Sequence, residues 1–339
     1  IYGKVQSYDA TKAMAVKGVR FVLKTERVFF HGPYSDSNGF NQKLRGKAEA
    51  IAVVGESYWS TLKAKKLVQV SWNALGFGET ATEQYFNQAK AASLHEGNEY
   101  KDAKVGDFAK ALQLSDYKIQ GTYQTPFMSH APMEPCNATV FVQGDQVEVW
   151  APVQGPDGLV NDLATYLGIK RQNIKVNVTF MGGAFGRKAV FDFVMQAANL
   201  SKQVNAPVKV IWTREDDIQQ GPYRPGMISA MQGGLDKDGN ILAFEHRLNG
   251  ASIMASVFKA DMRKNPDPWA GEGISLEDSP YAFPARRNSF NWVDPQMPVL
   301  WWRSVYASTN VFAQESFMDE LAAEGEKDPL DLRLHLLRD

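Results

Sequence analysis

The residues with the clearest chemical potential form a glycine-rich stretch, Met181–Lys188, with the sequence MGGAFGRK. It stands between an alternating strand pattern over residues 175–180 and a helical pattern over residues 189–200. Glycines remove the Cβ atoms that keep a ligand away from the backbone, and a following helix offers unpaired N–H groups to an anion. The pattern predicts a backbone cradle for a phosphorylated cofactor, with a tight turn that binds nothing as the open alternative.

The stretch matches neither standard nucleotide-binding motif. Lys188 follows Gly183 by five positions, and Ala189 stands where a P-loop requires Ser or Thr for magnesium. The dinucleotide fingerprint GxGxxG cannot be placed on Gly182, Gly183 and Gly186 in any register. An unrelated α/β nucleotide-binding protein is therefore supported by the turn alone.

Three other polar residues occupy positions suited to ligand binding. Gln154 is an amide donor just beyond a strand pattern that ends at Trp150, and α/β folds tend to bind ligands at the carboxyl ends of strands. Arg224 lies between a tyrosine and a proline, and Arg303 follows two tryptophans. A guanidinium held against aromatic rings orients a carboxylate, phosphate or oxo group. A structural stacked arginine is the alternative reading at both positions.

Other candidates are better explained by structure than by chemistry. His130 and Glu134 are four residues apart, but Pro132 prevents the helix that a metalloprotease pair needs, so we expect either side chain to satisfy backbone partners. Cys136 is the only cysteine, and we expect it to be a small buried filler rather than a nucleophile. With one cysteine, this chain alone can build neither a disulfide nor an iron–sulfur cluster.

The composition limits the class of protein. The chain has 339 residues, of which 44% are hydrophobic and 22% charged, with a formal net charge of −1. This balance gives no electrostatic reason to expect nucleic acid or an anionic membrane as the main partner. No window approaches the about 18 consecutive apolar residues of a transmembrane helix. We expect a soluble protein, and because the chain lacks an initiator Met, part of a longer one.

The secondary-structure patterns predict a mixed α+β protein. Residues 1–75 alternate between strand and helix and predict a compact unit. Residues 76–115 predict a linker that contains a helix at 81–94 and a polar segment at 95–104. Residues 116–339 contain a β-α-β-α-β succession typical of a layered domain.

The later segments of the chain include a clear hairpin pattern and a stretch without regular periodicity. Residues 228–235 and 241–248 flank a polar turn at 236–240 and predict a hairpin. That turn is not a calcium loop, because its sixth position is Ile241 and its twelfth is Arg247. The remaining predictions are a solvated turn at Arg214–Asp217, with an acid/base cluster as the alternative, an irregular stretch at 265–302, and helices at 308–323 and 329–337.

The order of these features strongly resembles the molybdenum-binding large subunit of the xanthine oxidase family. The segments that carry the resemblance are Val149–Gln154, Met181–Lys188, Trp212–Asp217 with Tyr223–Pro225, and Trp302–Ser304. Together with the sequence HAPMEP at residues 130–135, they are most similar to the β-subunits of the isoquinoline 1-oxidoreductase branch. This branch also includes certain bacterial aldehyde dehydrogenases. The resemblance implies an α/β hammerhead domain over residues 1–75 and a first molybdopterin-binding domain over residues 116–339.

The resemblance also implies roles for individual residues. Gln154 matches a glutamine whose amide hydrogen-bonds an oxo ligand of molybdenum, Arg303 an arginine near molybdenum and pterin, and Arg224 an arginine of the substrate pocket. The implied cofactor-binding residues are Gly182, Gly183, Ala184, Phe185, Gly186 and Arg187. No side chain ligates the metal, because the pterin dithiolene does so, which fits a chain with few His and Cys residues.

The implied activity is that of a bacterial molybdenum hydroxylase, which oxidises an N-heterocycle or an aldehyde with water as the oxygen source. The implied cofactors are molybdenum-molybdopterin, in its cytosine dinucleotide form, and [2Fe-2S] clusters on a small partner subunit. Purine hydroxylation is not expected, because Ala189 occupies the position of a glutamate in the purine enzymes. The compartment stays open between cytoplasm and periplasm.

The family's catalytic glutamate lies in a second molybdopterin domain, which we expect in the remaining part of the large subunit. The isolated chain is therefore expected to be inactive. The alternative hypothesis is a non-catalytic fragment or interaction module that holds one part of a cofactor site.

Overall fold

The computed structural model describes residues 3–28, 47–74, 81–258 and 260–337. Its strands are β1 (Lys4–Asp9), β2 (Val19–Val28), β3 (Lys47–Gly55), β4 (Gln69–Asn73), β5 (Asn98–Glu99), β6 (Tyr117–Thr125), β7 (Met128–Ser129), β8 (Asn137–Gln143), β9 (Gln146–Ala151), β10 (Ile174–Val178), β11 (Val208–Ile211), β12 (Tyr223–Arg224), β13 (Met227–Leu235), β14 (Ile241–Gly250) and β15 (Arg286–Trp292). Its helices are α1 (Thr11–Met14), α2 (Tyr58–Lys65), α3 (Thr82–Ala92), α4 (Phe108–Leu114), α5 (Pro156–Leu167), α6 (Asp192–Val204), α7 (Arg214–Gln219), α8 (Ile253–Phe258), α9 (Ala307–Glu324) and α10 (Pro329–Leu336). The predicted mixed α+β class is confirmed. In the described ranges, no helix has the length and apolar composition needed to cross a membrane.

The chain divides into two compact units, each built from two separate stretches. The first unit contains Ile1–Glu79 and Ser129–Pro222, and the second contains Thr80–Met128 and Tyr223–Asp339. The domain boundaries predicted from the sequence, after residue 75 and before residue 116, stay a prediction. Residues 75–80 lie outside the described part of the chain.

The first unit contains a four-stranded sheet with the order β10-β9-β8-β11. Strands β9 and β10 are parallel, and α5 supplies the crossover that a parallel pair requires. Pro156 in the first turn and Gly168 at the end, with φ +71°, fix the limits of this helix. Because the two strands are parallel neighbours, their carboxyl ends lie at the same edge of the sheet. The segments that follow them carry Gln154 and the glycine-rich stretch.

Apolar residues at alternate positions of β8 and β9 form the core under α6. Ala138, Val140 and Val149 are fully buried, as are Leu159 of α5 and Phe193 of α6. The same unit contains two antiparallel pairs, β1 with β4 and β2 with β3. In β8 and β9, burial at every second position follows from the two-residue period of a strand.

The second unit contains a five-stranded sheet with the order β5-β15-β14-β13-β6. The predicted hairpin is confirmed as the antiparallel pair β13 and β14. Helix α9 covers β13 closely, since a Cβ atom added at Gly233 would lie 2.7 Å from Leu321 Cδ2. Fully buried Phe244 and Phe317 pack in the same cluster. Helices α9 and α10 agree with the prediction to within a residue at each end.

Several segments differ from the sequence-based predictions. The helix expected from residue 189 begins at Asp192, and Arg214–Asp217 lies in α7, which has a capping box between Thr213 and Asp216, rather than in a turn. The expected polar linker at 95–104 contains β5 and the buried Tyr100. The irregular stretch at 265–302 contains β15, which pairs in parallel with β14.

A buried histidine in the second unit leads to a pH prediction. His246 is fully buried on β14, and neither ring nitrogen has a hydrogen-bond partner within the described residues. Burial, with the nearby charge of Arg286, lowers the pKa of His246 from 6.5 to about 3. The unfolded chain therefore binds a proton below pH 6.5 that the folded chain does not bind, so stability falls as the pH falls. We expect His246 to remove about 2 kcal/mol of stability between pH 7 and pH 5.

The variant His246→Leu removes the titrating group and keeps a similar side-chain volume. We expect urea midpoints measured from pH 5 to pH 7 to vary less for this variant than for the natural chain. His95, which is exposed, provides the control, and His95→Leu should keep the natural pH dependence. An equally steep profile in His246→Leu would contradict the assignment.

Candidate cofactor site

The glycine-rich stretch is a tight turn with backbone angles that favour glycine. Gly183 and Gly186 have φ values of +91° and +104°, and Phe185 adopts +54°. The turn is closed by a hydrogen bond from the Arg187 N–H to the Ala184 carbonyl, at 2.9 Å. A non-glycine residue in the left-handed region costs about 1 to 3 kcal/mol and is often found at functional sites. Phe185 is such a residue, and its side chain is 38% exposed.

The turn does not present a free helix terminus to an anion. A single turn of 3₁₀ helix at Arg187–Ala189 separates it from α6, which begins at Asp192. The first turn of α6 already carries the buried carboxylate of Asp192, which complements the positive end of the helix. The helix expected directly after the glycines is therefore wrong in its position, because it starts three residues later, whereas the cofactor cradle itself stays a prediction.

Gln154 is attached to the turn at both its backbone and its side chain. Its N–H donates to the Lys188 carbonyl at 3.0 Å, and its Oε1 accepts from the Gly186 N–H at 3.1 Å. Because that partner is an N–H donor, the oxygen of the amide must face it, which directs Nε2 elsewhere. Within the described residues no acceptor is recorded for Nε2. The half-buried amide is an oriented hydrogen-bond donor beside the turn.

Arg187 directs its guanidinium into the protein. Nη2 lies 2.9 Å from both carboxylate oxygens of Asp192, and the side chains are 1% and 0% exposed. The guanidinium also lies over Trp212, at 5.1 Å from the ring centroid. Arg187, one of the predicted cofactor-binding residues, can therefore contact a cofactor through its backbone, because its guanidinium is paired with Asp192 inside the first unit.

The predicted arginines of the second unit both lie near one tryptophan. The guanidinium carbons of Arg224 and Arg303 are each 5.9 Å from the centroid of a Trp302 ring. Arg224 is 7% exposed and donates to the Pro126 carbonyl at 3.1 Å, whereas Arg303 is exposed. Burial lowers the pKa of Arg224 from its ordinary value. The structure thus brings Arg224 and Arg303 together within the second unit.

The positively charged loop that carries Arg303 has an unusual backbone. Ser304 and Val305 have φ values of +70° and +41°, and the Val305 N–H donates to the Trp302 carbonyl at 2.6 Å. Two consecutive non-glycine residues in this region are costly, and such strain clusters at ligand sites. The loop is a second place where the fold maintains an unfavourable backbone beside a predicted site residue.

The residues expected to be structural are confirmed in that role. Cys136 is fully buried, and burial raises the pKa of its thiol to about 12, which excludes a thiolate nucleophile near neutral pH. Asp236 Oδ1 accepts from the N–H groups of Asp238 and Asn240, as a hairpin turn requires. Glu134 accepts from the Gly182 N–H, as expected for a residue with backbone partners. Among the described residues, no cluster of three or more His, Cys, Asp or Glu is arranged to hold a metal.

Comparison with known families identifies the domain. The family model described as molybdopterin cofactor-binding domain matches residues 93–337. The chain belongs to this family. The prediction of family from the sequence is confirmed, and the alternative of an unrelated nucleotide-binding protein is wrong.

Individual relatives of this molybdopterin cofactor-binding domain are longer proteins. The β-subunit of isoquinoline 1-oxidoreductase from Brevundimonas diminuta is 26% identical over 84% of this chain, and a nicotinate dehydrogenase subunit from Pseudomonas putida is 28% identical over 85%. The matches cover 37% and 24% of those proteins. Aldehyde oxidoreductase of Desulfovibrio gigas has the same fold, with a TM-score of 0.74 at 18% identity over 99% of this chain and 39% of that one. The chain spans less than half the length of each.

The residues present fit a molybdopterin cofactor. Such a group presents oxo and phosphate oxygens, which accept hydrogen bonds, and its metal is held by its own dithiolene. In the first unit, Gln154 has an oriented Nε2 donor beside a glycine turn, and in the second unit Arg303 is an exposed residue next to Trp302. A Cβ atom added at Gly155, directly after Gln154, would meet nothing within 4 Å. A neutral amide donor next to open space suits a cofactor whose oxygens accept hydrogen bonds and whose metal needs no ligand from the protein.

Two residues at the turn were not singled out as site residues from the sequence. Lys188 is fully buried, and its Nζ lies 2.7 Å from Glu134 Oε2, although 54 positions separate the two residues. No local spacing reveals such a pair. The available signal was the resemblance, because Glu134 stands in the HAPMEP segment and Lys188 ends the segment Met181–Lys188.

Proposed function

We propose that this chain is the part of a molybdenum hydroxylase large subunit that supports one side of the molybdenum cofactor. The observation that carries the proposal is the Gln154 amide, whose oxygen is held by the Gly186 N–H while Nε2 is directed away from the turn. Family membership and the names of the relatives support the same assignment. The proposed reaction is oxidation of an N-heterocycle or an aldehyde with water as the oxygen source.

Each proposed site residue has a role that its surroundings support. When bound, the cofactor supplies the two-electron oxidation of the substrate. Gln154 donates a hydrogen bond to an oxygen of the cofactor, and the backbone at Phe185 and Gly186 packs beside it. Arg303 neutralises negative charge on the cofactor, and Arg224, fixed by the Pro126 carbonyl, lines the substrate pocket. Because Gln154 and Arg224 are held by other residues in advance, they act by electrostatic preorganisation.

The finer identity of the cofactor and partners belongs to the same proposal. We infer the cytosine dinucleotide form of molybdopterin, a small partner subunit with [2Fe-2S] clusters that accepts the electrons, and the remaining part of the large subunit. The resemblance to the isoquinoline 1-oxidoreductase branch supports all three. The relatives' greater length supports the last, because a match covers at most 37% of the two relatives compared.

A second candidate function is a non-catalytic module that binds the rest of the enzyme. The same partial coverage favours it for the isolated polypeptide. In that case the 339-residue chain binds neither molybdenum nor pterin alone, and its contribution depends on the other part of the cofactor site.

Cofactor content tests both candidates. We expect the complete enzyme that contains this chain to hold stoichiometric molybdenum and pterin, and to reduce a dye when an N-heterocycle or an aldehyde is added. We expect the chain produced alone to contain neither. Metal and substrate-dependent dye reduction in the isolated chain would exclude the module, and a complete enzyme without molybdenum would refute the main proposal.

A further inference from the structure

Glu134 connects the two ends of the glycine turn. Its Oε2 accepts hydrogen bonds from the Gly182 N–H at 2.9 Å and from Lys188 Nζ at 2.7 Å. Its own N–H donates to the Gly182 carbonyl at 2.9 Å, and its Oε1 accepts from Asn137 Nδ2 at 3.0 Å. One carboxylate therefore fixes both the first glycine and the last residue of the turn.

Lys188 depends on this carboxylate. The Lys188 side chain is fully buried, whereas that of Glu134 is 31% exposed. A buried ammonium group without a paired acceptor is strongly unfavourable, because the lost hydration is not replaced. Asp217 adds a second negative charge within electrostatic range. In the described ranges, however, the recorded hydrogen-bond acceptor of Nζ is Glu134.

The segment that Glu134 fixes is the segment that holds Gln154. The Lys188 carbonyl accepts from the Gln154 N–H, and the Gly186 N–H donates to Gln154 Oε1. A displacement of residues 182–188 would therefore move both anchors of the amide. No other contact in the first unit is needed to transmit the change, because each link is a direct hydrogen bond.

The absence of a side chain at Gly182 allows the close approach of Glu134. A Cβ atom added at Gly182 would lie 2.6 Å from Glu134 Cβ, which is shorter than any normal contact. The exchange of hydrogen bonds between Glu134 and Gly182 thus requires glycine at this position. The glycine at position 182 and the short distance to Glu134 both indicate that the contact between these two residues is specific.

We propose that Glu134 and Lys188 are positioning residues for Gln154, and that their ion pair holds the glycine turn so that the Gln154 amide keeps its orientation. The importance of that orientation for catalysis rests on the proposed function. The mechanical link itself does not, and it is measured without the cofactor.

Hydrogen–deuterium exchange of the full chain tests the link peptide by peptide. We expect Glu134→Gln and Lys188→Met each to accelerate exchange at least tenfold in peptides 181–188 and 150–155. The double variant should be no faster than either single variant, because both changes break the same link. Glu148→Gln is the matched control: it breaks the exposed pair with Lys175 on the neighbouring strands, and exchange at the turn should stay within twofold of the natural chain.

Glu134→Asp keeps the test decisive if an unpaired buried charge prevents folding. This variant retains a carboxylate for Lys188 but withdraws it by one methylene from the Gly182 N–H. We expect it to fold and to show the same faster exchange in peptides 181–188 and 150–155. Natural protection of both peptides in folded Glu134→Asp or Lys188→Met would overturn the proposal.

A kinetic readout distinguishes positioning from general stability. In the complete enzyme we expect Glu134→Gln to lower kcat at least threefold with an unchanged KM, and to cause no further loss when Gln154 is already alanine. Additive losses in that double variant would overturn the positioning role. If exchange at the turn accelerates as expected but the natural enzyme oxidises no heterocycle or aldehyde, the proposed function fails and the link between Glu134 and Gln154 stands.

Discussion

Gln154→Ala should lower the turnover of the complete enzyme by about a hundredfold at unchanged molybdenum content. Removing a preorganised hydrogen-bond donor costs about 3 kcal/mol of transition-state stabilisation. The amide of Gln154 is such a donor, because the Gly186 N–H fixes its oxygen and so orients Nε2. Steady-state kinetics with an N-heterocycle or an aldehyde, combined with metal analysis, measures both quantities.

Two further variants separate donation from packing. Gln154→Glu keeps an oxygen for the Gly186 N–H but replaces Nε2 by a second oxygen, so we expect a loss at least as large as that of Gln154→Ala. Gln143→Ala, at an exposed position on β8, should leave turnover unchanged. Turnover within twofold of the natural enzyme in Gln154→Ala, with full molybdenum, would exclude the proposed role.

Asp192→Ala should destabilise the first unit by about 3 to 5 kcal/mol, because removing one member of a buried ion pair leaves the other charge desolvated and uncompensated. The carboxylate of Asp192 is the partner of the Arg187 guanidinium, and both side chains are buried. The ring of Trp212 lies against the same guanidinium, so its fluorescence during urea unfolding reports the change directly.

An exposed ion pair in the same unit provides the control. Asp157 and Arg171 side chains are 84% and 54% exposed, and Asp157→Ala should leave the urea midpoint nearly unchanged because solvent screens such pairs. The double variant Arg187→Leu/Asp192→Leu should be more stable than Asp192→Ala, since it buries no unpaired charge. A midpoint for Asp192→Ala equal to that of the control would show that the pair contributes little.

The elements that could be predicted from the sequence are those in which several signals agree. The hairpin β13 and β14 combines apolar strand patterns with a turn rich in Asp, Gly and Asn, and helix α5 combines helical periodicity with Pro156 and Gly168 at its ends. In both cases the local conformational propensity and the burial in the folded chain favour the same secondary structure, so tertiary packing does not override the propensity.

The elements that could not be predicted have polar residues where the core is formed. Strand β15 carries the buried side chains of Arg286 and Asn288, so its alternation is invisible to a hydrophobicity pattern. Helix α6 begins at Asp192, three residues later than predicted. The preceding residues form a 3₁₀ turn, and Arg187 in that turn pairs with Asp192 in the interior. The burial of Asn288 is compensated by a hydrogen bond to the Ile274 carbonyl and that of Arg187 by Asp192, and a hydrophobicity pattern reveals neither partner.

The residues of the candidate site were named from the sequence and stay a prediction, whereas their contacts could not be predicted. The residue types at Gln154 and the glycine turn, together with their order, pointed to the family that is now shown. Their hydrogen bond spans 32 positions and follows from the parallel pairing of β9 and β10, which no motif encodes. The ion pair between Glu134 and Lys188 could be recognised only in the folded structure.

The attachment of Gln154 to the turn has a consequence for how rates vary with acidity. Both of its hydrogen bonds join uncharged amides, which neither gain nor lose protons in any physiological medium. Along these contacts Lys188 leads to Glu134; burial raises the pKa of Glu134, but hydrogen bonds from Lys188, Asn137 and Gly182 hold that pKa below the usual range. A donor built in this way keeps constant strength from alkaline to mildly acidic surroundings. Any inflection of the rate profile near neutrality therefore reports on the substrate or on another group, and not on this amide.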